Sequence, residues 1–120
     1  MRHIHILCLV VLVASSAFAH SLSTRSDEAK NQMSELSKSL DMFYVDCGRY
    51  PTQQEGLEAL LRPTRSCPNW GPDPYVTAIG MDPWNRPWIY INPEPNEFHL
   101  RTLGADGREG GTDEDTDLQL

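Results

Sequence analysis

The stretch SDEAKNQMSELSKSLDMFYVDC, residues 26–47, carries the pattern that decides the fold. Its apolar residues recur at alternating steps of four and three, with Lys, Glu, Asp and Ser between them, which is the spacing of one helix face. That face consists of Ala29, Met33, Leu36, Leu40 and Phe43 or Tyr44. Ser26 is a candidate N-cap and Gly48 is a natural stop. The stretch therefore predicts one long amphipathic helix from Ser26 to Cys47.

A second, shorter helix is predicted directly after the first. The stretch PTQQEGLEALL, residues 51–61, has Thr52 and Glu55 at the T-x-x-E spacing of a capping box. Pro63 would end this run, because proline cannot continue a helix.

The second half of the chain predicts strands. The segments WIYIN (88–92) and EFHLRTL (97–103) alternate along a half-buried face, and the turn residues PEPN separate them, which indicates a β-hairpin. The Pro- and Gly-rich stretch between Pro63 and Pro87 carries large apolar residues and is predicted to be an ordered loop. These anchors are Trp70, Tyr75, Ile79 and Trp84. Helices followed by strands predict an α+β fold with the long helix packed on a small antiparallel sheet.

The N-terminus resembles an export signal. Arg2 precedes an apolar run from Ile6 to Val13, and Ala17-Phe18-Ala19 has the A-x-A form of a cleavage site. We expect a signal peptide over residues 1–19 and one globular domain over residues 20–120. A membrane anchor is the weaker alternative, because the run is shorter than the roughly 20 residues of a spanning helix. The mature protein is thus expected to be periplasmic or secreted, without a membrane span.

Cleavage at this site would remove Cys8 and leave Cys47 and Cys67 as the mature thiols. Two cysteines outside the reducing cytosol most simply form a disulfide. Closing a loop of about 20 residues would stabilise the fold by roughly 3 kcal/mol in the chain-entropy model.

The charge balance excludes one class of partner. The 120 residues hold 10 Lys and Arg against 17 Asp and Glu, which gives a net charge of −7. Nucleic-acid binding needs a basic face to neutralise phosphates, and none is visible in the sequence.

His20 and His99 have no plausible nucleophile beside them, so an enzyme is not expected.

The last 18 residues, LGADGREGGTDEDTDLQL, concentrate acidic side chains among glycines. Crowded carboxylates repel one another, so this segment is either a solvated tail or a loop folded around a cation. The residues alone favour the tail. An EF-hand is excluded, because Leu118 occupies the position where that motif requires glycine and no bidentate glutamate follows.

Three motifs in order resemble the C-terminal globular domain of the major pseudopilin of the type II secretion system. They are LDMFYVDCGRYPTQQEGLEALL (40–61), DPWNRPWIYIN (82–92), and LGADGREGG (103–111) followed by DTDL (115–118). The resemblance implies a pilin-like fold, in which the long helix packs on the sheet and the last loop binds calcium. It thereby reverses the preference for a solvated tail.

The resemblance also implies which residues would hold the calcium ion. Asp106 would supply the first carboxylate, with the carbonyl of Leu103 beside it. Spacing adds Asp113 and Glu114, and the trailing D-x-D-L pattern adds Asp115 and Asp117.

The expected function is that of an exported, non-enzymatic structural or accessory component of type II secretion, with other pseudopilins as protein partners. Pseudopilins of this family begin with a hydrophobic helix that packs the filament, whereas Ser23 to Asn31 is polar here apart from Ala29. We therefore expect no filament assembly by the mature protein alone. The alternative is a free secreted binding module stabilised by calcium.

Overall fold

The computed structural model describes residues 24–110 and 118–120. The elements in chain order are helix α1 (Arg25–Cys47), a 3-10 helix (Gly56–Leu60), and strands β1 (Ile89–Glu94), β2 (Glu97–Thr102) and β3 (Leu118–Gln119). They form the predicted α+β arrangement. The expected signal peptide, residues 1–19, lies outside the described residues. Within the described part of the chain, no helix has the length and apolar character needed to cross a membrane.

Helix α1 buries the face that its periodicity predicts. Its buried apolar side chains are Ala29, Met33, Leu36, Leu40 and Phe43. The predicted N-cap was wrong by two residues, because the Oγ1 atom of Thr24 accepts the Asp27 N–H at 3.1 Å and α1 starts before Ser26. Gly48 ends the helix in the left-handed conformation (φ 73°), which glycine adopts without steric cost.

The second predicted helix forms as a five-residue 3-10 helix. The capping box is present, since Glu55 accepts the Thr52 N–H at 2.9 Å and Thr52 accepts the Glu55 N–H at 3.1 Å. Gly56 then takes a positive φ of 59°. This departure from helical geometry directly after the box explains why a regular α-helix does not start there.

Several cross-links hold the segment 47–67, which we call the cross-linked corner. A disulfide joins Cys47 to Cys67, as predicted. Arg49 donates to both carboxylate oxygens of Glu55, at 2.7 and 3.2 Å. Burial opposes ionisation of Glu55, but the hydrogen bonds from Arg49 and from the Thr52 N–H outweigh it and lower the pKa to about 2.

The predicted hairpin is confirmed, and a third strand extends it. Strands β1 and β2 pair antiparallel, with Tyr90 opposite Leu100. Strand β3 pairs antiparallel with the other edge of β2, with Thr102 opposite Leu118. The sheet order is therefore β1-β2-β3. The sequence did not predict β3, because two residues are too few to show an alternating pattern.

The core lies between α1, the 3-10 helix and the sheet, where Phe43, Leu40, Leu60 and Leu100 are fully buried. The loop between the 3-10 helix and β1 is ordered as predicted, and all four of its expected anchors pack against this core. Trp70 and Tyr75 are examples, with ring centroids 5.3 Å apart in an edge-to-face contact. The tryptophans thus serve as packing residues.

Candidate functional site

The acidic segment that connects β2 to β3, residues 103–117, is called the closing loop. Its described part is residues 103–110. Both flanks of the loop lie on the sheet, because Thr102 pairs with Leu118. The backbones of Leu100 and Leu120 also exchange hydrogen bonds of 3.1 and 2.9 Å. The residues on either side of the closing loop are therefore both held by pairing with β2.

A buried carboxylate fixes the turn that faces this loop. Asp82 is 5% exposed. One of its oxygens accepts the backbone N–H groups of Trp84 at 3.0 Å and Arg86 at 2.8 Å. The other accepts the hydroxyl of Thr102, the last residue of β2. Because one side chain binds both the turn and the strand end, the 82–86 turn is held beside the start of the closing loop.

The side chain of Arg86 reaches from this turn into the closing loop. Its Nη1 group donates to the carbonyl oxygen of Gly104, and its Nη2 group donates to that of Ala105 at 2.9 Å. Gly107 lies against the guanidinium, since a Cβ atom there would be 2.7 Å from Arg86 Cζ. The positive φ of 66° favours glycine at position 107, and a side chain there would displace the guanidinium.

Two of the predicted calcium ligands, Leu103 and Asp106, belong to the described part of the loop. Leu103 directly precedes a turn in which the Gly107 N–H points to the carbonyl of Gly104, at 3.4 Å. Asp106 lies within that turn and is exposed, and its Oδ1 atom accepts the Arg108 N–H at 3.0 Å. A backbone carbonyl oxygen and an exposed carboxylate are both hard oxygen donors of the kind that calcium takes.

The remaining predicted ligands, Asp113, Glu114, Asp115 and Asp117, lie outside the described residues. In the ranges 24–110 and 118–120, no three His, Cys, Asp or Glu side chains come together as a metal site would require. Glu109, which the sequence analysis did not count among the ligands, points to Arg101, with 3.3 Å between the charged atoms.

Sequence reasoning missed Asp82 and Arg86. The sequence does distinguish Arg86, because it is the only Lys or Arg between Arg65 and Arg101. Its contact with residues 104 and 105 spans 18 and 19 positions of the chain, and neither periodicity nor local spacing predicts a contact at that range.

Comparison with known proteins decides the family. The family model described as "Type II secretion system (T2SS), protein G" matches residues 17–120. The type II secretion system core protein G of Pseudomonas aeruginosa is 36% identical over 114 residues, which cover 92% of this chain and 80% of that protein. The chain belongs to the type II secretion system protein G family.

Other members of the protein G family support the assignment. The core protein G of Vibrio cholerae is 38% identical over 86 residues, 69% of this chain and 59% of that protein. A crystal structure of the major pseudopilin from the type 2 secretion system of enterohaemorrhagic Escherichia coli matches with a TM-score of 0.64 and 27% identity. The match covers 90% of this chain and 96% of that one. As a protein G family member, the chain is a structural, non-enzymatic pseudopilin component of the secretion system.

Proposed function

We propose that this pseudopilin component is exported to the periplasmic side of the cell and that its closing loop binds one calcium ion that completes the globular domain. The observation that carries the calcium proposal is the anchored acidic loop. Its flanks pair at Thr102 and Leu118, and its first turn, which directly follows Leu103, carries the exposed Asp106 carboxylate.

Electrostatics supports a divalent cation in this loop. The sequence from residue 103 to residue 117 contains six Asp or Glu residues and a single Arg. Both flanks of this acidic segment pair with one strand, β2, and like charges held in a small volume are unfavourable unless a cation offsets them. Calcium accepts six to eight oxygens in a flexible geometry, and the later acidic residues would supply the additional ligands.

Partners follow from the same proposal. As a protein G family member, the protein would dock on other pseudopilins of the secretion system through the globular domain. An ordered closing loop would preserve the shape of the surface that docks. Release of the mature protein after export requires cleavage of the predicted signal peptide. Mass spectrometry of protein made in a host with a general secretion pathway should show a mature start at His20. Recovery of the chain with Met1 intact would contradict the expected cleavage.

Thermal unfolding with calcium or with a chelator tests the calcium proposal. An ion at a hundred times its dissociation constant stabilises the folded state by about 2.7 kcal/mol, and for a domain of this size that raises the melting temperature by on the order of 10 °C. Magnesium should substitute poorly, because it prefers a tighter octahedron and keeps its waters.

Two single variants give the matched comparison. Asp106→Ala should abolish the calcium-dependent shift, because it removes a proposed ligand. Glu109→Ala removes the same charge from the same loop but only an exposed partner of Arg101, so it should leave most of the shift. If the chelator leaves the melting temperature of the wild-type protein unchanged, the loop binds no calcium.

A further inference from the structure

We propose that the guanidinium of Arg86 orders the first turn of the closing loop, residues 104–107, before a metal ion binds. By ordering this turn, Arg86 positions Asp106. The effect on metal affinity rests on the calcium binding proposed above, whereas the folding of the turn does not.

The side chain of Arg86 forms a bridge between the 82–86 turn and the closing loop. Its two terminal N–H groups donate to consecutive carbonyls, those of Gly104 and Ala105. A planar guanidinium presents its donors as a rigid fork, so one side chain fixes two adjacent peptide groups relative to each other. Asp106 lies between Ala105, which accepts from the fork, and Gly107, which packs against it. Both neighbours of the carboxylate in the chain are therefore held by the same group.

The base of this side chain is itself fixed. The Arg86 N–H donates to the Asp82 carboxylate at 2.8 Å, and the Arg86 carbonyl accepts the Asp82 N–H at 2.8 Å. Asp82 in turn accepts from Thr102 on β2. Because its backbone is already held against the sheet, Arg86 has only its side-chain torsions left to fix when its guanidinium binds the loop.

Two effects of Arg86 on a calcium ion oppose each other. Its positive charge repels the ion, which weakens binding at an exposed site only modestly. Its bridge orders residues 104–107 in advance, and without it the ion would have to order several residues, each at a substantial cost in conformational entropy. Preorganisation is therefore the larger effect. The carbonyls of Gly104 and Ala105 are engaged by Arg86, which directs the metal to the Leu103 carbonyl and Asp106.

The experiment compares the wild-type protein with Arg86→Gln, Arg86→Lys and Arg108→Gln. Arg86→Lys keeps the charge and the aliphatic stem but lacks the fork. Arg108→Gln is the control, because it removes one positive charge from the closing loop itself, and the described hydrogen bond of Arg108 is made by its backbone N–H. The first readout is the NMR order parameter of the backbone amides at positions 104–107, measured in chelator. The second is the calcium dissociation constant, measured by calorimetry.

In chelator we expect order parameters near those of rigid backbone, about 0.85, for wild type and Arg108→Gln, and values below about 0.6 for both Arg86 variants. Calcium affinity should fall about tenfold or more in the Arg86 variants, and it should stay the same or rise in Arg108→Gln. If Arg86→Lys keeps wild-type order at residues 104–107, or if the Arg86 and Arg108 variants behave alike, the inference is wrong. Absence of calcium binding to the wild-type protein would overturn the calcium proposal alone, because the order parameters in chelator still test the bridge.

Discussion

The cross-linked corner and the closing loop both follow the end of a regular element, yet they are stabilised in opposite ways. In the corner, a disulfide joins Cys47 to Cys67, and Glu55 is neutralised by Arg49 at 2.7 Å. In the described part of the closing loop, Arg86 binds carbonyl oxygens, while the Asp106 side chain is left exposed with a backbone N–H as its partner. The corner carries its own counter-charge, whereas the loop carries an excess of negative charge.

This difference predicts which of the two regions changes its stability when the ions in solution change. An internal ion pair and a covalent bond are present whatever ions surround the protein, so the corner should be insensitive to calcium. A loop with six acidic residues and one arginine should respond to a divalent cation, because the cation replaces the counter-charge that the sequence does not supply.

The largest effect is expected from removing the disulfide. The double variant Cys47→Ala, Cys67→Ala should lower the free energy of unfolding by about 3 kcal/mol, since the crosslink closes a loop of about 20 residues in the unfolded chain. Denaturant unfolding measures this change. Because the corner is not part of the proposed calcium site, the loss should be the same in calcium and in chelator. A loss that appears only in chelator would show that the two regions are not independent.

A smaller effect is expected from Glu55→Gln, which weakens the interactions with Arg49 and Thr52 and should cost about 1–2 kcal/mol at pH 7. The pKa of Glu55 in the folded state is about 2, below its ordinary value of 4.5. The stabilisation from the charged form is therefore complete above pH 4.5 and is lost as the pH falls from 4.5 to 2.

Urea unfolding at a series of pH values tests this, and the difference in stability between wild type and Glu55→Gln should shrink over that interval. Glu35→Gln is the control, because Glu35 forms an exposed ion pair with Lys38 and such pairs contribute at most about 1 kcal/mol. A difference between wild type and Glu55→Gln that stays constant from pH 7 to pH 2.5 would contradict the assigned role of the Arg49 pair.

The elements that bury one regular face could be predicted from the sequence. The face of α1 and the hairpin follow from periods of 3.6 and 2, and those periods are local. The N-cap was misplaced because Thr24 and Ser26 are both hydroxyl residues, and the choice between them depends on where the helix packs. The 3-10 helix in place of an α-helix depends on the positive φ of Gly56, which the capping-box spacing does not reveal.

The candidate site could be predicted only in part, because some of its contacts depend on tertiary packing. The acidic composition of the closing loop is visible in the sequence, and the family resemblance assigned Leu103 and Asp106 to one site. The contacts of Asp82 with Thr102 and of Arg86 with Gly104 depend instead on how the 82–86 turn packs beside the end of β2. Such contacts arise from tertiary structure, and a sequence pattern does not contain them.

A calcium titration of the mature protein, monitored by ¹⁵N-¹H NMR, tests the difference between the cross-linked corner and the closing loop most directly. We expect the amide signals of Gly107, Gly110 and Leu120 to shift with one saturable transition, while those of Gly48 and Gly56 in and beside the corner stay in place. Magnesium at the same concentration should produce little of this change. If no loop signal moves, or if the corner and the closing loop shift equally, calcium is not the missing counter-charge of the closing loop.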